Sequence, residues 1–130
     1  MALKIWKVAL LVKDVKEAEK FYVETLGLPV IERLSLASMG IEGEAVFLDA
    51  GNVQLELIPQ AAFHGAPERL ATCGVHHLSF QVDDVPATQE ELKAKGANFI
   101  LEAFNPIEGM TLAFFDGTNG VNLQLFNWKR

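Results

Sequence analysis

The sequence predicts an α+β domain built from two tandem βαβββ modules, and three observations carry that prediction. First, 130 residues suffice for one compact domain with a substantial core but not for two ordinary ones. Second, the chain repeats itself. KVALLVKDVKEAEKFY, from Lys7 to Tyr22, aligns with HLSFQVDDVPATQEEL, from His77 to Leu92, at a constant offset of about seventy residues. Third, each copy is followed by three short strand-like runs separated by turn residues.

In the first copy, Trp6, Val8 and Leu10 alternate with Lys7 and Ala9, the period of a strand. Asp14 then stands where a helix N-cap belongs, with Glu17 three residues on as in a capping box. Val15, Ala18, Tyr22 and Leu26 mark a helical stripe, and Gly27 suits the helix C-terminus. Strands are expected over Pro29–Ala37, Glu42–Ala50 and Val53–Pro59, the last two joined by a turn at Ala50-Gly51-Asn52. In the second copy Asp84 is the N-cap and Pro86 lies in the first turn, where proline is tolerated. Val85, Thr88 and Leu92 form a weaker stripe, and Gly96 suits its end. Strands follow over Ala97–Ala103, Met110–Phe115 and Val121–Trp128, with a turn at Asp116-Gly117-Thr118-Asn119-Gly120. Module 1 thus covers 1–60 and module 2 covers 74–130 of a single domain, 1–130. The joining segment, 61–73, reads as a loop with room for a helical turn. A unit of about sixty residues buries too little surface to be safe alone, so the modules should pack together, and their junction is a natural place for a site.

Composition excludes several classes. Half of the residues are hydrophobic and 22% are charged, a globular balance rather than a disordered one. A net charge of −6 with scattered basic residues argues against nucleic acid or anionic membrane as partner. The single cysteine, Cys73, rules out an internal disulfide and makes a reducing cytoplasm the simplest location. The first residues, MALKIWKVALLVKD, are interrupted by Lys4, Lys7 and Lys13. The apolar run Val8–Val12 is too short for a signal-peptide core or a membrane span.

Applying the period of two to the strands separates a polar face from an apolar one. His77, Ser79 and Gln81 share one face; His76, Leu78, Phe80 and Val82 share the other, greasier one. Gln54 and Glu56 oppose Val53, Leu55 and Leu57, and Asn122 and Gln124 oppose Val121, Leu123 and Leu125. At corresponding places in the two repeats, an apolar pattern is broken by Lys7, Glu56, His77 and Gln124. An antiparallel sheet can simply have a wet face. If the faces converge, these residues form a polar cluster in a cleft, with Ser79, Gln81, Gln54 and Asn122 around it as substrate-binding candidates.

The segments VALLVKDVKEAEKFYVETLGL, LELIP, GVHHLSFQVDDV and GVNLQLF resemble the vicinal oxygen chelate superfamily. That group includes glyoxalase I, methylmalonyl-CoA epimerase, extradiol dioxygenases and the fosfomycin- and bleomycin-resistance proteins. The third segment looks most like the epimerase and glyoxalase branches. The resemblance implies a curved mixed sheet around a cleft. It also implies one divalent metal (zinc, nickel, cobalt, manganese or iron) held by Glu56, His77 and Gln124, with Lys7 at the fourth ligand place. It makes His77 the inward histidine, His76 a structural one, and His64 a surface or cleft-rim residue.

Lys7 departs from the pattern. Carboxylate, imidazole and amide oxygen all suit a metal, but an ammonium has no lone pair to give. Deprotonating an ordinary lysine at pH 7 costs about 4.6 kcal/mol, so a metal-free cluster in which Lys7 pairs with Glu56 is the cheaper arrangement. Two functions follow from the resemblance. One is a lyase or isomerase that abstracts a proton next to a carbonyl, with Glu56 as base and Lys7 as fixed cation. Glu42 or Glu44, which flank Gly43 with no motif to choose between them, is a weaker candidate base, since the epimerase-like members place a catalytic carboxylate on the third strand. The other is a metal-free binding protein of the bleomycin-resistance type, with Phe114, Phe126 and Trp128 as pocket-lining candidates. An extradiol dioxygenase is disfavoured, because Lys7 and Gln124 stand at two ligand places. A small molecule is the expected ligand and a homodimer the default assembly.

Overall fold

The computed structural model describes residues 2–117 and 121–129. It contains β1 (Lys4–Val12), α1 (Val15–Lys20), β2 (Val30–Ser35), β3 (Glu44–Asp49), β4 (Gln54–Pro59), α2 (Glu68–Ala71), β5 (Gly74–Gln81), α3 (Val85–Ala94), β6 (Phe99–Phe104), β7 (Met110–Asp116) and β8 (Asn122–Trp128). The α+β class and the doubled βαβββ order are those the sequence predicts. The segment between β4 and β5 holds two short helical pieces, a 3-10 turn at Gln60–Phe63 and α2.

The chain divides into two compact units, Lys7–His76 and the part from His77 onward together with the first six residues. The division falls inside β1 rather than in the joining segment, so the units differ from modules 1–60 and 74–130 at both ends. Trp6 goes with the later unit because its ring lies against Phe126, centroids 4.4 Å apart.

In the Lys7–His76 unit the strand order is β2-β3-β4-β1. β1 runs parallel to β4, while β3 is antiparallel to both of its neighbours. One face of this sheet packs beneath α1, where Val46, Leu48 and Leu57 are fully buried under Val15, Ala18, Tyr22, Val23 and Leu28. The Asp14 side chain caps α1 by accepting from the Glu17 amide at 3.1 Å. The helix does not continue to Leu26 as one α-helical stripe. Phe21–Thr25 forms a π-helical turn, and Leu26 N–H donates to Phe21 carbonyl, five residues back. The wider turn moves the register, so Val23 and Leu28 pack inward and Leu26 is exposed. The β3–β4 turn forms at the predicted place, with Asp49 Oδ1 accepting from Gly51 N–H at 2.8 Å and Gly51 at φ +98°, a region that favours glycine.

The later unit repeats the plan, with order β5-β8-β7-β6 and β5 parallel to β8. Val82, Val85, Ala113, Phe115 and Leu125 form its core, with Phe80, Leu92 and Phe99 packed against them. Asp84 caps α3 by accepting from Ala87 N–H at 2.9 Å. The inward stripe of α3 is Val85, Gln89 and Leu92. Thr88 instead turns its hydroxyl back to the Asp84 carbonyl, and buried Gln89 accepts from Ala103 N–H at 2.7 Å. Of the predicted turn after β7, residues 118–120 lie outside the described residues.

Candidate functional site

Register on β1 and β4 places Gln54 beside Lys7 and Ala9 beside Glu56, so Lys7 and Glu56 are diagonal neighbours on the face turned away from α1. Ala9, fully buried and carrying one methyl, leaves room for the lysine to lean across. Its Nζ donates to Glu56 Oε1 in an ion pair, and the two residues are only 3% and 5% exposed. Phe47 lies opposite Glu56 on β3, with its ring centroid 5.6 Å from Nζ, within the range where an aromatic face attracts a cation.

The later unit builds the same pattern with different chemistry. Phe114 on β7 lies opposite Gln124 on β8, and the His77 ring meets Phe114 edge-on, centroids 5.1 Å apart. Ser79, beside Gln124 in register, donates its hydroxyl to Gln124 Oε1 at 2.6 Å. His77, Ser79 and Gln124 are buried, as is Asn122. Each unit therefore combines a first-strand polar residue, a third-strand phenylalanine and a fourth-strand polar residue on one face. Phe47 is the member the sequence reading missed. A signal existed: VFLDAGNVQLEL and AFFDGTNGVNLQL align Phe47 with Phe114 when Glu56 is set on Gln124, with one extra residue in the turn.

Other candidates fall elsewhere. Gln81, the last residue of β5, is exposed, and Gln54 is half-buried beside Lys7. Glu44, the candidate carboxylate of the third strand, opens β3. It alternates with Ala45, so it shares the α1 side with Val46 and Leu48, whereas Ala45 and Phe47 take the Lys7–Glu56 side. Glu44 accepts from Arg33 at 2.9 Å, and Arg33 also holds Glu19 of α1 through two bonds of 2.8 and 2.7 Å. That bidentate bond holds the Glu19 carboxyl below the usual range. Glu42, Glu44, Arg33 and Glu19 line a cleft of about 730 Å³ together with Lys13 and Lys16. Being on the α1 side, it is not the face that carries Lys7 and Glu56. His64 is exposed, as expected.

His76 is structural. It is 2% exposed, its Nε2–H donates to the Leu70 carbonyl at 2.6 Å, and its ring lies 4.2 Å from that of Phe63. Burial lowers its pKa from the usual histidine value; the Leu70 bond opposes this and the Lys7 charge adds to it. The unfolded chain therefore binds more protons below about pH 6.5. Stability is fully present above that pH and falls as the pH drops toward the folded value. Urea midpoints between about pH 7.5 and pH 5.5 should show this loss, and His76→Gln, which keeps a donor for Leu70, should flatten it. An equal slope in the variant would refute the assignment.

The donor set does not fit the metal implied by the resemblance. The first ligand place holds an ammonium, and that ammonium occupies the carboxylate of the second. A divalent ion about 4 Å from Nζ would meet a repulsion of about 8 kcal/mol at an effective dielectric constant of about 20. Among the described residues, no three of His, Cys, Asp and Glu group so as to hold a metal.

Comparison with known proteins bears on what such a face serves. Residues 4–125 match the model of the glyoxalase/bleomycin resistance protein/dioxygenase superfamily. The chain belongs to this superfamily. Within the glyoxalase superfamily, it is 31% identical to mouse mitochondrial methylmalonyl-CoA epimerase over 101 residues, 70% of this chain and 56% of that protein. The chain spans about half the length of the mammalian epimerases it matches. It is 26% identical to a probable lactoylglutathione lyase of Vibrio parahaemolyticus, covering 98% of this chain and 92% of that one. A solved methylmalonyl-CoA epimerase in complex with methylmalonyl-CoA and NH4+ shares the glyoxalase-superfamily fold. Its TM-score is 0.73, at 22% identity over 97% of this chain and 94% of that one.

Proposed function

We propose that the protein abstracts a proton next to a carbonyl of a small molecule, as a lyase or isomerase. In this reading Glu56 takes the proton, the C–H electron pair forms a carbon–carbon double bond while the carbonyl π pair moves onto the oxygen, and Lys7 stabilises the resulting enolate or enediolate. The proton then returns to the same or the neighbouring carbon. The observation that supports the reading is the Lys7–Glu56 pair itself, a buried base in contact with a fixed cation. An ammonium carries three donors, so Lys7 can hold Glu56 and a developing oxyanion together. A cation placed where charge develops is a large source of rate enhancement. Both an epimerase and a probable lactoylglutathione lyase stand among the relatives. The proposal includes Gln54, half-buried beside Lys7, as a residue that orients the ligand, in a cytoplasmic homodimer whose mass sedimentation would check.

One observation favours a second reading, a metal-free binding protein. On the Lys7–Glu56 side, β3 carries Ala45 and Phe47, neither of which can serve as an acid or base. Deuterium exchange from solvent separates the two. With a panel of 2-methylmalonyl thioesters and 2-oxoaldehyde–thiol adducts, wild-type protein should exchange the hydrogen next to the carbonyl. Glu56→Gln should slow exchange by about 10²–10⁴-fold, the usual worth of a general base. A panel member that binds wild-type protein without exchanging would leave the binding role and remove the catalytic one.

A further inference from the structure

The Lys7–Glu56 contact bears on more than stability or proton transfer. The glutamate at the fourth-strand place has the right chemistry for a divalent ion, and the residue that denies it to one is a single side chain on the neighbouring strand. We propose that Lys7 is a built-in cation that closes this face to divalent metal, and that the single change Lys7→His opens it. The inference rests on the same pair as the proposed reaction but not on its turnover.

Three features carry it. The ammonium reaches Glu56 because Ala9, directly beside the carboxylate, is too small to intervene. It is held from the other side by the Phe47 ring, which offers attraction to a cation but no lone pair to a metal. The pair is buried, so water does not readily replace either partner. A metal entering here would have to displace Lys7 from its carboxylate and leave a second cation beside itself. An imidazole at position 7 reverses each of these conditions. It is neutral when it ligates, it is shorter than lysine, and it returns the Glu56 carboxylate to service.

Cobalt(II) chloride is a suitable probe, because its visible absorption reports coordination without any substrate. Wild-type protein, Lys7→His and Lys7→Met are each titrated after circular dichroism has shown that they are folded. The expected result is that Lys7→His takes up one equivalent of cobalt at least ten-fold more tightly than wild-type protein. Adding Glu56→Gln to Lys7→His should abolish that gain. Lys7→Met separates loss of the cation from gain of a ligand, and should bind more weakly than Lys7→His. Wild-type protein that binds cobalt through Glu56 as tightly as Lys7→His would overturn the inference. So would a folded Lys7→His variant that binds no better than Lys7→Met. Neither outcome depends on whether deuterium exchange is observed, so failure here and failure of the proposed reaction are distinguishable.

Discussion

Glu56→Gln should lower the free energy of unfolding by about 3–5 kcal/mol, because it leaves the buried Lys7 ammonium without its counter-charge. The substitution preserves shape, so nearly all of the effect is electrostatic. Lys7→Met should cost a similar amount by stranding the Glu56 carboxylate. The double variant Lys7→Met/Glu56→Leu removes both charges together and should recover most of the loss, since apolar replacement of a whole buried pair is often neutral or stabilising. Urea denaturation of the two single variants and the double one gives the coupling directly. Single variants each costing under about 1 kcal/mol would mean that the pair behaves like a surface contact, and the site described here would lose its basis. The same set has a functional use. If the proposed reaction is correct, the double variant regains stability without regaining exchange.

Phe114→Ala should be comparably damaging, at about 3–5 kcal/mol, the range for removing a large buried ring. Phe114 is 2% exposed and its ring edge meets that of His77, so truncation opens a hole next to a polar residue. Phe114→Leu retains most of the apolar volume and should cost far less, under about 1.5 kcal/mol. The two substitutions measured by urea denaturation decide between a packing role and a pocket-lining role. A pocket-lining ring would tolerate alanine with little loss of stability and a change in ligand binding. Core packing predicts the reverse.

How much of this was legible beforehand differs from element to element. The offset between Lys7 and His77, the capping residues Asp14 and Asp84, and the alternation in β4, β5 and β8 are local signals. They depend on periodicity and on backbone donors within a few residues, so they can be read without knowing what packs where. The α1 end shows the limit. Leu26 fits a period of 3.6, yet a π-helical turn moved it to the surface. Nothing in the spacing itself marks that insertion. Glu44 shows a related limit. Its strand was predicted, but the side it faces follows from the pairing of β3 with β2, which ends at Glu44 itself, and a one-residue step exchanges the faces of a strand. Thr88 and Gln89 exchanged roles on α3 because a buried amide found a partner in Ala103 of β6, a contact invisible along the helix alone.

The amino-acid order by itself settled the repeat, the strand and helix types, and the polar residue that interrupts each of four strands. All of these follow from nearest-neighbour geometry. Only the tertiary structure decided that Lys7 leans over Ala9 to hold Glu56, that Phe47 backs the ammonium, and that Glu44 turns to Arg33 instead. Those outcomes depend on which strand lies beside which and in what register, and hydrogen bonds between residues about fifty positions apart leave no periodic trace in the chain.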